Sequence, residues 1–410
     1  MQLLEMALIL FVVLSPLGAQ KNVPKPEFKA ENASQNAPKQ YKLPPEKRLK
    51  AIAYARARHR IYFLDYATEF AVLLLCFWSG IAARLRAWAV PVTLAILTLA
   101  DLPWDARRHW LAVHYGISIQ HWGGWFSDWS KGAGLGLVFG ALILWGVYWL
   151  MRRSPARWWF YAWCVAIPLT VLIVYVEPFV IEPLFNRFEP LGRQYPQLAM
   201  QIEEILARAH VQIPRDHLFV MKASEKTNEL NAYVSGFGSS KRVVLYDTII
   251  AKEPGPPLLT TFGHELGHYV LHHVTEGVVF GLIMTFFGFL IAHLLLRWRT
   301  HIGGWETVPL LLLLFTAGSF LGDPIANAFS RHLEHEADRY ALEITHGIVP
   351  DAGKAAAVAF QIEGEADLED PSPGPFVKFW LYSHPPIADR LQFALNYDPW
   401  REGQKPKYVR

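Results

Sequence analysis

The stretch GHELGHYVLHH at positions 263–273 sets four histidines and one glutamate within about three helical turns. His264 and His268 are four apart, so on a helix they stand one above the other and can share one metal ion. Glu265 is turned by about 100° from His264 yet is near enough to reach a water on that ion. This is the His-Glu-x-x-His spacing of zinc peptidases. The prolines of PGPPLLTT at 254–261 open a helix, and the pattern predicts that it runs to 273 without a breaker. His272 then lies about 12 Å beyond His264 along the axis. Zn–N bonds are about 2 Å, so the third ligand must come from elsewhere. His272 and His273 read as interfacial or supporting groups.

A second stretch, DPIANAFSRHLEHEADRYALEITHG at 323–347, supplies carboxylates. Asp323 reads as a helix cap with Pro324 in the first turn, and Gly347 closes the helix. Asn327, Arg331, Glu334 and Asp338 recur at spacings of four, three and four, making one polar stripe. Glu334 and Asp338 repel each other modestly on a bare helix, and a divalent cation would remove that penalty. We therefore read Glu334 as a candidate third ligand and Asp338 as an acceptor that orients a ligating histidine. Asn327 and Arg331 join it in support. On spacing alone an ordinary charged face, with Arg331 and Arg339 as partners, accounts for the stripe equally well.

The chain that must position these residues has 410 of them, 52% hydrophobic and 18% charged, with 16 tryptophans. That balance fits a membrane protein with a substantial polar part. A net charge of +3 gives no argument for a nucleic-acid partner. The two cysteines, Cys76 and Cys164, sit in apolar runs and read as buried hydrophobes, which excludes a disulfide framework or a cysteine-based metal site. Six segments, at 66–83, 87–102, 133–151, 158–176, 274–296 and 308–321, are apolar enough to approach the roughly 20 residues of a spanning helix. Residues 1–20 read equally as a signal peptide or as a seventh span.

The expected organisation is therefore a terminal segment 1–20, a polar linker and basic helix 21–65, and four spans in 66–177. A first catalytic segment 178–273, a spanning hairpin 274–322 and a second catalytic segment 323–410 follow. Within 178–273, QLAMQIEEILARAH has helical periodicity through Leu198, Ile202, Ile205 and Leu206. Three β-rich runs come after it, at 218–221, 231–234 and 242–246, the last two reading as a hairpin. The acidic EGEADLEDPSPG at 363–374 reads as a solvated loop.

HELGH followed by NAFSRHLEHEAD resembles the integral-membrane zinc peptidases typified by CAAX prenyl protease type I. IEPLFNRFEPL at 181–191, NAYVSGFGSSKRVVLYDTI at 231–249, YSHPPIADRL at 382–391 and the basic approach at 41–65 extend the likeness over nearly the whole chain. The resemblance implies a mainly α, polytopic membrane bundle of six or seven spans. It would enclose a chamber, with a small β-sheet and a zincin-type active-site helix. It maps the third ligand onto Glu334 and implies one Zn2+ per chain. Three protein ligands leave zinc an open position for water, and Glu265 would take the proton as that water attacks a peptide carbonyl. His384 would face the site and stabilise the oxyanion, with a turn residue before Pro385 as the alternative. Asn231, Ala232 and Tyr233 match the family's substrate-binding strand, with an ordinary core strand as the alternative. Glu69 and Asp101 either line the chamber or sit at helix ends.

The function expected is metalloendopeptidase action on prenylated or membrane-associated proteins in a multi-pass membrane protein. Its partners would be a peptide or protein, lipidated or not, and membrane lipids. A membrane quality-control zinc protease is the alternative, and a transporter or binding protein with structural zinc a more distant one.

Overall fold

The computed structural model describes residues 37–236, 241–297, 302–401 and 403–409. The terminal segment 1–20 and most of the linker lie outside the described residues. Helix α1 (Pro45–Trp78) opens at two consecutive prolines, with Glu46 in its first turn. It joins the expected basic helix and the first span into one element, so the boundary placed at 65 falls inside a helix. Helix α2 (Ala89–Tyr115) ends at Gly116, whose φ of 78° is the left-handed cap conformation that glycine adopts freely. Helices α3 (Trp122–Arg153) and α4 (Trp158–Val176) complete the first bundle.

A four-stranded sheet follows. Its strands are β1 (Phe188–Pro190), β2 (Leu218–Met221), β3 (Ala232–Ser235) and β4 (Arg242–Tyr246), in the order β1-β2-β4-β3. The antiparallel β3–β4 pair matches the expected hairpin, with Ala232 opposite Leu245. β2 and β4 are parallel, and the short β1 was not legible as a strand. Helix α5 (Pro196–Arg208) buries Leu198, Ile202, Ile205 and Leu206, as its period requires.

Helix α6 (Pro256–Val270) carries the histidine motif. Contrary to the unbroken helix expected, it stops at Val270. His272 takes φ 62°, the left-handed region, and α7 (His273–Leu296) starts afresh. Helix α8 (Val308–Thr345) holds a second surprise, because Pro324 lies in its interior and Asp323 is not a cap. Asp323 instead accepts hydrogen bonds from the Tyr62 and Tyr66 hydroxyls. The span and the carboxylate motif are thus one helix, and the boundary at 322 is not structural. Membrane helices tolerate an internal proline because neighbours re-satisfy the freed backbone.

Helix α9 (Ala352–Ala366) absorbs the start of the supposed acidic loop. Helices α10 (Pro375–Leu381) and α11 (Ile387–Asn396) complete the fold.

Among the described residues, six helical stretches are long and apolar enough to cross a membrane. Their outward positions are apolar, as at Leu75, Trp78, Leu99, Phe139 and Leu172, all more than half exposed. Such a surface suits lipid rather than water. Cys76 is buried, whereas Cys164 is exposed on this outer face; composition cannot tell protein interior from lipid. One core lies within the bundle around Leu73, Tyr148 and Trp158, and another joins α5, the sheet and α6. Between them lies a cavity of about 1290 Å³.

Candidate active site

Helices α6 and α8 cross closely because α6 presents glycine at 263 and 267. A Cβ at Gly267 would come within 3.3 Å of the Ala337 Cα, and one at Gly263 within 3.3 Å of the Ala341 Cα. The crossing brings His264, His268 and Glu334 together. The two histidine Nε2 atoms are 3.1 Å apart. Glu334 Oε2 lies 3.2 Å from His264 Nε2, and Oε1 lies 3.4 Å from His268 Nε2. Bonds of 2.0–2.1 Å to a tetrahedral zinc place ligand atoms about 3.3 Å apart. The two ring nitrogens and the Glu334 carboxylate already stand at about that separation, each nitrogen nearest a different carboxylate oxygen. Among the described residues Glu334 Oε2 is buried without a hydrogen-bond partner, as expected of an atom reserved for an ion.

The other nitrogen of each ring is occupied. His264 Nδ1 bonds Asp338 Oδ1 at 2.9 Å, which aims the Nε2 lone pair of the neutral ring at the centre. Arg390 holds Asp338 with two bonds, Nε to Oδ2 at 2.9 Å and Nη2 to Oδ1 at 2.7 Å. His268 Nδ1 meets His273 Nδ1 at 3.0 Å. Of the two later histidines, His273 is therefore the supporting one, reachable only because the chain turns at His272.

Burial alone would push His264 down, but the bonds to Asp338 and Glu334 outweigh it and lift the imidazole to about 10. Burial, reinforced by that neighbouring charge, lowers His268 to about 3. With Glu334 and Asp338 both within 3.2 Å of the His264 ring, the centre attracts positive charge. A metal cation would supply that charge with both rings neutral.

Glu265 lines the cavity beside this centre, and burial raises its carboxyl to about 7. His384 also lines it, with Nε2 3.3 Å from Glu334 Oε1 and Nδ1 2.9 Å from the Ser383 hydroxyl. Its ring is more than half exposed to the chamber, and the partial loss of solvent there lowers its pKa. Asn231 and Ala232 line the cavity from the edge strand β3. Tyr233 does not offer its ring there; its hydroxyl donates to Glu182 Oε1 at 2.7 Å.

Asn327 and Arg331 are not partners of the three candidate ligands. Asn327 Nδ2 donates to the Trp380 carbonyl at 2.6 Å, and Arg331 donates to the carbonyls of Lys378 and Tyr382. They tether the segment that leads to His384.

Sequence reasoning missed Arg390, although it lies in the YSHPPIADRL stretch. It also missed Glu363, which reaches the site helix at the Thr261 hydroxyl, 3.4 Å away. Glu69 and Asp101 line the cavity rather than merely ending helices.

Known proteins share this architecture. A family model described as peptidase family M48 matches residues 193–398, and one described as CAAX prenyl protease N-terminal, five membrane helices, matches 28–187. The uncharacterized metalloprotease YhfN of Bacillus subtilis is 33% identical over 377 residues, 86% of each chain. CAAX prenyl protease 1 of Saccharomyces cerevisiae is 27% identical, over 74% of this chain and 70% of that protein. The crystal structure of S. mikatae Ste24p shares the fold at a TM-score of 0.72 and 23% identity, covering 87% of this chain and 92% of that one. With the motif on one helix, its carboxylate on another and these matches across both halves, the chain belongs to peptidase family M48 as a multi-pass membrane metallopeptidase.

Proposed function

We propose that this chain is a zinc endopeptidase of the CAAX prenyl protease type, cutting peptide bonds near the carboxyl end of prenylated or membrane-associated proteins. The observation that carries the reading is the triangle of His264, His268 and Glu334 atoms, at zinc-ligand separations, in the wall of a chamber bounded by spanning helices. Two histidines and one glutamate are a catalytic donor set, since structural zinc is closed by four protein groups. When bound, the zinc supplies Lewis acidity that polarises a peptide carbonyl and makes water a nucleophile near neutral pH.

The chain's own residues do the rest. Glu265, facing the cavity, takes a proton from the attacking water and passes it to the leaving amine. With the Ser383 hydroxyl donating to His384 Nδ1, the opposite Nε2–H points at the site and stabilises the developing oxyanion. Asp338 and His273 keep the two ligating rings turned inward, and Arg390 fixes Asp338.

Substrate is bound as an added strand. The Tyr246 N–H bonds the Asn231 carbonyl, so the antiparallel alternation turns the Ala232 and Val234 backbone groups to the open side of β3. An extended peptide can pair there, with Asn231 at its end. Tyr233 turns its backbone to β4 and supports the strand, and a peptide would displace the Asn231 side-chain oxygen that holds the Ala232 N–H at 2.8 Å. The names of the CAAX prenyl protease 1 relatives support a lipidated substrate, and a chamber between membrane helices is where a lipid-bearing peptide would enter.

The test uses purified protein, a quenched fluorescent peptide and the same peptide bearing a farnesylated cysteine. Wild type is expected to cleave both, the farnesylated one with the lower KM. Glu265→Gln should bind zinc yet lose cleavage by about a hundredfold or more. A variant that still cleaves at the wild-type rate would refute the assignment.

A further inference from the structure

The chamber wall made by α1 and α2 carries more carboxylates than lysine and arginine side chains. Asp65 and Glu69 stand one turn apart on α1, and Asp101 and Asp105 one turn apart on α2; all line the cavity. One guanidinium serves two of them, Asp65 and Asp105. Arg108 Nη1 bonds Asp65 Oδ2 at 2.8 Å and Nη2 bonds Asp105 Oδ1 at 2.6 Å. Trp129 Nε1 takes the other Asp105 oxygen at 3.1 Å. Asp101 is 4% exposed, and among the described residues its Oδ1 has no hydrogen-bond partner. The imbalance continues around the chamber, where carboxylates outnumber lysine and arginine side chains although the whole chain is +3.

Aromatic faces lie beside this wall. His109 stacks on Trp125 at 5.2 Å, and Trp129 continues the row 6.5 Å from Trp125. All three also line the chamber. A buried carboxylate without a partner is costly, and a cation carrying N–H donors relieves it. Trp rings add attraction for the same cation. Carboxylate and indole together suit a lysine or arginine side chain better than a bare metal ion; the only described group with metal-site spacing is the one at His264.

We propose that this wall is a cation subsite of the peptidase. It takes a lysine or arginine side chain of the peptide whose bond is cut at the His264–Glu334 centre, with Asp101 accepting its N–H donors. The subsite makes the enzyme favour basic peptides. It rests on the peptidase reading above, because the same chamber must hold the peptide.

The experiment uses the full chain in detergent with zinc and a set of quenched fluorescent peptides. A neutral parent is compared with versions carrying one lysine, or its uncharged isostere norleucine, at successive positions on either side of the cleaved bond. The expected result is a position at which wild type prefers lysine over norleucine by about tenfold or more in kcat/KM. In Asp101→Asn that ratio falls towards one, and Asp101→Glu recovers part of it. Because each ratio is taken within one protein sample, loss of folded enzyme cancels. A ratio near one in wild type at every position, or a preference that survives in Asp101→Asn, overturns the subsite and leaves the peptidase reading intact. An Asp101 neutralised simply by a proton gives the first of these results. Failure of wild type to cut even the neutral parent and its farnesylated form overturns both.

Discussion

At the residue scale, the centre is a set of atoms each held by a second bond. His264 is aimed by Asp338, Asp338 by Arg390, and His268 by His273. Second partners of this kind typically carry ten- to a hundredfold in metal affinity. His273→Ala should therefore weaken zinc binding by about that factor, read by competition with a chelating dye; unchanged affinity would remove His273 from the site. Arg390→Ala leaves the buried Asp338 charge with only the His264 ring as partner, which costs up to about 3–5 kcal/mol. A thermal unfolding midpoint equal to that of wild type would contradict that role. The candidate ligand pair was legible in the sequence because a single helix fixes His264 and His268 four residues apart. It was the family resemblance that singled out Glu334; by spacing, Glu334 and Asp338 were legible only as a stripe. Arg390 was not, since its pairing with Asp338 spans 52 residues and exists only once α8 and α11 meet.

At the element scale, the decisive feature is the approach of α6 to α8. Gly263 precedes the motif and Gly267 lies within it, and a Cβ at either would stand 3.1–3.3 Å from side-chain or backbone atoms of α8. Val at 267 should push the helices apart and destabilise the protein by about 1–3 kcal/mol. It should also weaken zinc binding, although residue 267 touches no metal, because Glu334 rides on α8. Retention of both stability and zinc affinity in Gly267→Val would show that the crossing does not depend on these glycines. Helix types were readable from periodicity, as α5 illustrates. Boundaries were not, for identifiable reasons. Asp323-Pro324 has the chemistry of a helix start, yet α8 passes through it because its neighbours α1 and α10 pack there. The break at His272 was hidden because nothing in LHH resembles a usual stop signal, and the turn to α7 is set by tertiary packing. Acidic residues 363–369 looked solvated because composition cannot show that Glu363 faces α6 or that Asp367 and Glu369 line the chamber.

At the scale of the whole molecule, composition already separated a membrane protein from a soluble one, and the six spanning helices follow from hydropathy. The chamber does not follow from it. Asp65, Glu69 and Asp101 interrupt apolar runs, and a pattern of spans alone treats them as helix-end blemishes; the fold puts them on the inner wall. That placement joins a polar interior to a lipid-facing exterior, so peptide hydrolysis can proceed within a membrane protein. The account depends on one ion being gripped from α6 and α8 together. Zinc content measured by mass spectrometry on detergent-purified wild type, Glu265→Gln and Glu334→Ala tests this most directly. One zinc per chain is expected in the first two, with marked loss in Glu334→Ala. Equal zinc in all three, or none in wild type purified with zinc present, would contradict the account.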